Sequence, residues 1–178
     1  MVGVANERWF IVVSGPPASG KSTVAPWMAA EFALPLVAKD TLKDALMSVF
    51  PVADVEASRQ LGRAAVRAML AVAAASPIGA VIESNFYRSV AADDLRQLPG
   101  SVIELFCRCG RDVAALRYRA RAGTRHAGHF DQVRSDDELW NAEVSEPVAG
   151  GWPVIEIDTN TPPNLAAVAD RVRSAMRS

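Results

Sequence analysis

Short apolar runs recur along the chain, each bounded by turn-forming residues and followed by a longer stretch of helical periodicity. "WFIVVSG" reads as a first buried strand, and "KSTVAPWMAAEFA" as the helix after it, with Pro26 bending its early part because proline removes a donor. "LPLVA" is a second strand, and "DTLKDALMSVF" a helix that stops before Pro51. From Asp54 to Ser76 the residues Leu61, Ala65, Met69 and Val72 fall on one helical face. "IGAVIES" and "SVIELFC" are the third and fourth strands, separated by the helical "SVAADDLRQL". An arginine-rich helix, "RDVAALRYRARA", leads through a mobile connection, "GTRHAGHFD", to one further helix, "SDDELWNAEVSE". "PVIEID" is a fifth strand, and "TPPNLAAVADRVRSAM" a closing helix with Pro162 and Pro163 at its entry.

Strands that alternate with helices in this way predict a parallel sheet covered by helices on both faces. No repeat, low-complexity tract or linker divides the chain, so residues 1–178 are read as one domain. With 178 residues, 50% of them hydrophobic, the chain is long enough for a proper core. The formal net charge of -1 supplies no global basic field, which disfavours nucleic acid as a partner without excluding a local basic stripe. Cys107 and Cys109, spaced C-x-C, match neither a zinc site nor a disulfide framework and suit buried strand-end positions in a reducing compartment. "MVGVANERWF" lacks a basic-then-apolar leader pattern, and no apolar run is long enough to span a bilayer. The expectation is a cytoplasmic protein with no membrane partner.

The first strand runs into Gly15-Pro16-Pro17-Ala18-Ser19-Gly20-Lys21-Ser22, which fits G-x-x-x-x-G-K-[ST]. Such a loop turns backbone N–H groups inward around a phosphate, which requires glycine conformations at its ends. The helix that follows adds aligned dipoles. Lys21 can reach β- and γ-phosphates, and the Ser22 hydroxyl can bind Mg²⁺. Pro16 and Pro17 have no N–H, so the donors must come from Ala18 to Thr23. Motif, preceding strand and following helix agree on a nucleotide site comprising Gly15, Ala18, Ser19, Gly20, Lys21, Ser22 and Thr23.

Neither N-K-x-D nor D-x-x-G, the marks of GTP-specific proteins, occurs in the chain. In its loop and in three further segments the sequence resembles the small P-loop kinases, a group that includes chloramphenicol phosphotransferase-like, zeta toxin-like, shikimate and gluconate kinase-like and polynucleotide 5′-kinase-like proteins. The resemblance covers most of the chain and identifies the superfamily far better than the substrate. It implies a three-layer α/β/α domain whose five-stranded parallel sheet has the order 2-3-1-4-5, with an arginine-rich lid at about residues 117–135. The implied activity is ATP- and Mg²⁺-dependent transfer of the γ-phosphoryl to a hydroxyl of a small-molecule acceptor. A polynucleotide 5′-hydroxyl kinase, a nucleoside or nucleotide kinase and a non-catalytic ATP-binding protein are the alternatives.

The first of the three segments is "LVAKDTLKDAL". Asp40 lies just past the second strand, on the sheet edge where open α/β folds bind ligands. In the resembled kinases an aspartate there takes the proton of the attacking hydroxyl; the competing reading is a helix N-cap. The second segment is "AVIESNFYRS". Glu83 ends the third strand, where a carboxylate can hold Mg²⁺ through water or position the nucleophile, although many relatives carry aspartate. Ser84, Asn85 and Arg88 are candidates for an acceptor pocket, or else cap and loop residues.

The third segment is "LRYRARAGTRHAGHFD". Arg117 and Arg121 share a helix face and Arg125 extends the series, as in the lid of the resembled kinases, where arginines cover ATP. Gly123 and Gly128 would form its hinge, and Arg119 points away toward solvent. His126, His129 and Asp131 admit a metal-cluster reading, but H-x-x-H is not zinc-helix spacing, and packing or substrate contact fits better. In "IEIDTNTPP" the residues Thr159 and Asn160 are candidates for the adenine loop or a plain turn.

Overall fold

In a computed structural model, residues 7–124 and 126–177 are described. The first strand, β1 (Trp9–Ser14), is fully buried from Phe10 to Val13, as a central parallel strand covered on both faces must be. It is followed by α1 (Lys21–Phe32), β2 (Leu36–Ala38), α2 (Lys39–Met47), α3 (Val55–Ala75) and β3 (Gly79–Glu83). Next come α4 (Arg88–Arg96), β4 (Ser101–Arg108) and α5 (Arg111–Arg121). Two short 3-10 turns lead to α6 (Asp136–Leu139) and α7 (Ala142–Ser145), and β5 (Val154–Asp158) and α8 (Leu165–Ala175) close the chain.

All neighbouring strands are parallel, in the order β2-β3-β1-β4-β5. The period-two alternation sorts side chains into two layers. Ile11, Val13, Ile103 and Leu105 pack with α1 and α8 residues such as Met28 and Val172. Phe10, Val12 and Ile82 face Met69 and Ala73 of α3 and Leu95 of α4. The expected three-layer α/β/α architecture and sheet order are therefore present.

Two local expectations are corrected. The buried stripe of α3 is Ser58, Ala65, Met69 and Ala73; Val72 is 53% exposed. The helix turns its alanine-rich side onto the sheet, where a close approach is available, so Val72 faces outward. "SDDELWNAEVSE" is not one helix. Trp140 leaves helical geometry (φ -121°, ψ 43°), and the Asn141 side chain caps a new turn by accepting from the Glu143 amide. Burial of Trp140 beneath the phosphate loop outweighs continuation of a short exposed helix. Helix α1 runs unbroken through Pro26.

Glu104 of β4 is a fully buried carboxylate. It accepts from the Ser14 hydroxyl (2.6 Å), the amides of Val148 (2.8 Å) and Ala149 (2.9 Å) and the Trp152 indole (3.1 Å). Four donors offset its desolvation and tie the 146–153 connection to the sheet.

Candidate active site

The carboxyl ends of β1, β2 and β3 meet at one edge: Val13 is in register with Glu83, and Glu83 with Ala38. The phosphate loop leaves this edge. Gly15 has φ +134°, and a Cβ there would fall 2.6 Å from the Cys107 carbonyl, so only glycine fits. Gly20 (φ +87°) is the left-handed N-cap of α1. Ala18 is also left-handed (φ 60°), which costs about 1–2 kcal/mol in a residue with a Cβ.

The amides of Ser19 and Thr23 donate to the carbonyls of Pro16 and Gly20. Among the described residues, those of Ala18, Gly20, Lys21 and Ser22 have no acceptor within the chain. The expected series of donors from Ala18 to Thr23 therefore narrows to these four. The Ser19 hydroxyl is wholly buried and also lacks a partner among the described residues. Unpaired donors at a helix N-terminus form an anion-binding cradle.

Lys21 is 8% exposed, and its ammonium donates to the carbonyls of Gly15 (2.9 Å) and Pro16 (2.7 Å). Burial lowers its pKa from 10.5 to about 8, against the pull of Glu83, Cys107 and Asp40. Burial likewise pushes the Glu83 carboxyl above its ordinary range; Lys21 opposes the rise and Asp40 adds to it. Next to the loop, burial pushes the Cys107 thiol up to about 12, so this cysteine is inert.

Asp40 is not the N-cap of α2. That position is Ala38, which makes no side-chain cap bond, and Asp40 sits in the first turn. Its Oδ1 lies 2.7 Å from the Lys39 ammonium, which also donates to Asn85 Oδ1 at 3.3 Å. Lys39 thus ties the β2 and β3 ends together, a role that sequence spacing did not indicate.

These groups line one cavity of about 610 Å³, in the range of small-molecule sites. Ser19 to Ser22, Asp40, Glu83, Asn85 and Arg121 all contribute to it. The Arg121 guanidinium lies over the Tyr118 ring, 5.4 Å from its centroid. Arg134, absent from the sequence reading, also lines the cavity, with its Nη1 3.6 Å from Glu138 and its buried Nε lacking a hydrogen-bond acceptor among the described residues. Lys43 is a second unforeseen lining residue; it is 3% exposed and donates to the Ser58 hydroxyl at 2.7 Å.

Other candidates fall elsewhere. Arg88 is half-buried, pairs with Glu146 at 2.6 Å and does not line the cavity. Arg117 donates to the carbonyls of Thr159 (2.9 Å) and Asn160 (3.0 Å), bracing the turn after β5. The buried Thr159 hydroxyl lies 2.7 Å from the Ser19 carbonyl and supports the phosphate loop from behind. Thr23 is exposed on α1 outside the cavity lining. Arg119 pairs with Asp136, as its outward direction predicts. Arg125 lies outside the described residues. His126 accepts from the Gly128 amide, His129 meets Asp44 at 2.6 Å and Asp131 accepts from the Tyr118 hydroxyl. Those three do not converge, and no metal-binding group of three is present among the described residues. Trp140 donates to the Pro17 carbonyl at 3.1 Å and packs edge-on to Tyr118, coupling α6 to the loop.

This sheet, with a phosphate loop between β1 and α1, is the fold of the small P-loop kinases. The chain is similar to a candidate kinase from Chloroflexus aurantiacus, at 29% identity over 95% of this chain and 98% of that one, with a TM-score of 0.86. A gluconokinase from Sinorhizobium meliloti has 21% identity over 97% and 93% of the two chains and a TM-score of 0.59. A shikimate kinase from Bacteroides thetaiotaomicron has 18% identity over 95% and 98% and a TM-score of 0.62. No protein-family model matches the chain, and no curated protein matches it. No helix among the described residues is long and apolar enough to cross a membrane.

Proposed function

We propose that the protein is an ATP- and Mg²⁺-dependent phosphotransferase that moves the γ-phosphoryl of ATP to a hydroxyl of a small molecule. One observation carries the reading: the phosphate loop, Asp40, Glu83 and Arg121 line the same cavity as a wall built by α3 and α4. In this reading the acceptor lies against that wall, beside the loop.

In this reading the free loop amides and Lys21 bind the β- and γ-phosphates. Asp40, steadied by Lys39, orients the acceptor hydroxyl and takes its proton as the oxygen bonds to the γ-phosphorus. The bond from that phosphorus to the bridging oxygen breaks, and ADP leaves. Arg121 and Arg134 offset charge on the transferring group. The segment at about 117–135 serves as the lid that excludes water. The oxygen ligands suit Mg²⁺: Ser22 lines the cavity at the start of α1, and Glu83 faces it from β3. When bound, the ion neutralises charge on the phosphate oxygens.

The test is ADP release across alcohols, sugars, nucleosides and 5′-hydroxyl oligonucleotides. Stimulation by a small alcohol or sugar supports the reading. Stimulation by oligonucleotides alone would replace it with polynucleotide kinase activity, and ATP binding with no stimulated release would leave a nucleotide-binding protein.

A further inference from the structure

Helix α3 lines the cavity with two rows at four-residue spacing: Ser58, Gly62, Val66 and Leu70, and beside them Arg59, Arg63 and Arg67. Each arginine already holds a carboxylate. Arg59 meets Glu138 at 2.9 Å, Arg63 meets Glu56 at 2.9 Å and Arg67 meets Asp94 at 3.1 Å. The three arginines keep these partners while staying 45%, 65% and 73% exposed, and the row of Ser58, Gly62, Val66 and Leu70 supplies the apolar part of this wall.

Gly62 is the unusual member of that row. It lies inside a helix of 21 residues, where glycine is unfavourable relative to alanine. A Cβ at this position would meet nothing within 4 Å, so packing does not require glycine. The open space over Gly62 is the cavity itself. On the α4 side the cavity is lined by Tyr87, the N-cap residue, and by Val90, 43% and 59% exposed. At the Ser58 end lies the buried Lys43 ammonium.

We propose that Gly62 sets acceptor specificity: the acceptor is an alcohol with a ring-sized apolar body that lies over Gly62 between Val66 and Leu70 of α3 and Val90 of α4. A polar substituent of that body would meet Lys43 and Ser58. The proposal rests on the phosphotransferase reading and names its substrate class.

The experiment uses the full chain with saturating ADP and anilinonaphthalene sulfonate as an apolar ring probe, alongside ADP-release assays on 2-phenylethanol and gluconate. Wild type binds one probe molecule saturably. Gly62→Leu weakens that binding roughly tenfold or more while ADP affinity stays within about twofold. Gly62→Ala raises the thermal midpoint by about 2–4 °C, because the helix gains propensity and nothing clashes, and it still weakens the probe. The aromatic alcohol is turned over in preference to gluconate. Unchanged probe binding in Gly62→Leu, a lower midpoint in Gly62→Ala or a preference for gluconate overturns the proposal. The predicted probe pattern with no ADP release from any alcohol would overturn the phosphotransferase reading and keep the apolar occupant.

Discussion

Lys21 is held charged in a place that disfavours charge, and replacing it should make the protein more stable while destroying its proposed activity. The fall in pKa from 10.5 to about 8 means that burial costs the protonated form roughly 3 kcal/mol at neutral pH. Lys21→Met removes that cost. It also leaves two carbonyls, of Gly15 and Pro16, without their donor, which takes back about 1 kcal/mol each where water from the open cavity replaces the ammonium. The net expectation is a gain of about 1 kcal/mol, or about 2–4 °C in thermal midpoint for a chain of this size. The pH dependence carries a definite sign. Between about pH 8 and 10.5 the unfolded lysine binds more protons than the folded one, so wild-type stability gains with pH and the advantage of the variant shrinks. Cys107, raised from 9.0 to about 12, acts in the opposite direction above pH 9, and comparing the two proteins at each pH subtracts most of its effect. Denaturation by urea at pH 7, 8, 9 and 10, without nucleotide, measures this. A variant less stable than wild type at pH 7, or an advantage that does not shrink as pH rises, would refute the reasoning.

Three further outcomes follow from the same structure. Glu104→Ala strands four donors in the core and should cost at least about 3 kcal/mol in urea denaturation. Trp140→Phe keeps the ring against Tyr118 but loses the bond to Pro17; it should cost about 1 kcal/mol and raise the KM for ATP several-fold. Arg134→Ala should lower kcat roughly tenfold or more, whereas Arg88→Ala, which breaks only an exposed pair with Glu146, should leave kcat and KM unchanged.

The central strands were legible because a parallel strand buried on both faces, such as Phe10 to Val13, reads as an unbroken apolar run. The phosphate loop was legible because its backbone conformations demand glycine at Gly15 and Gly20. The strand-end position of Asp40 was also readable, since it depends only on where β2 stops. Other parts of the site depend on distant neighbours. Lys43 enters the cavity because α2 packs on α3 beside Ser58, and Arg134 because two 3-10 turns fold its segment back toward the loop. Arg117 shares a helix face with Arg121 but bonds to the turn after β5, a partner that spacing along α5 does not reveal. Trp140 breaks a segment of helical composition because its best burial lies under Pro17, far away in sequence.

The most direct test of phosphoryl transfer at this cavity is single-turnover transfer of radiolabelled γ-phosphate from ATP to an accepted alcohol, with wild type and Asp40→Asn side by side. Asp40 lines the cavity with the loop and is braced by Lys39. The account predicts label in a phosphate monoester with wild type, and a rate about 100-fold or more lower in the variant at unchanged ATP affinity. Transfer by Asp40→Asn at the wild-type rate, or label appearing only in inorganic phosphate with both proteins, would contradict it.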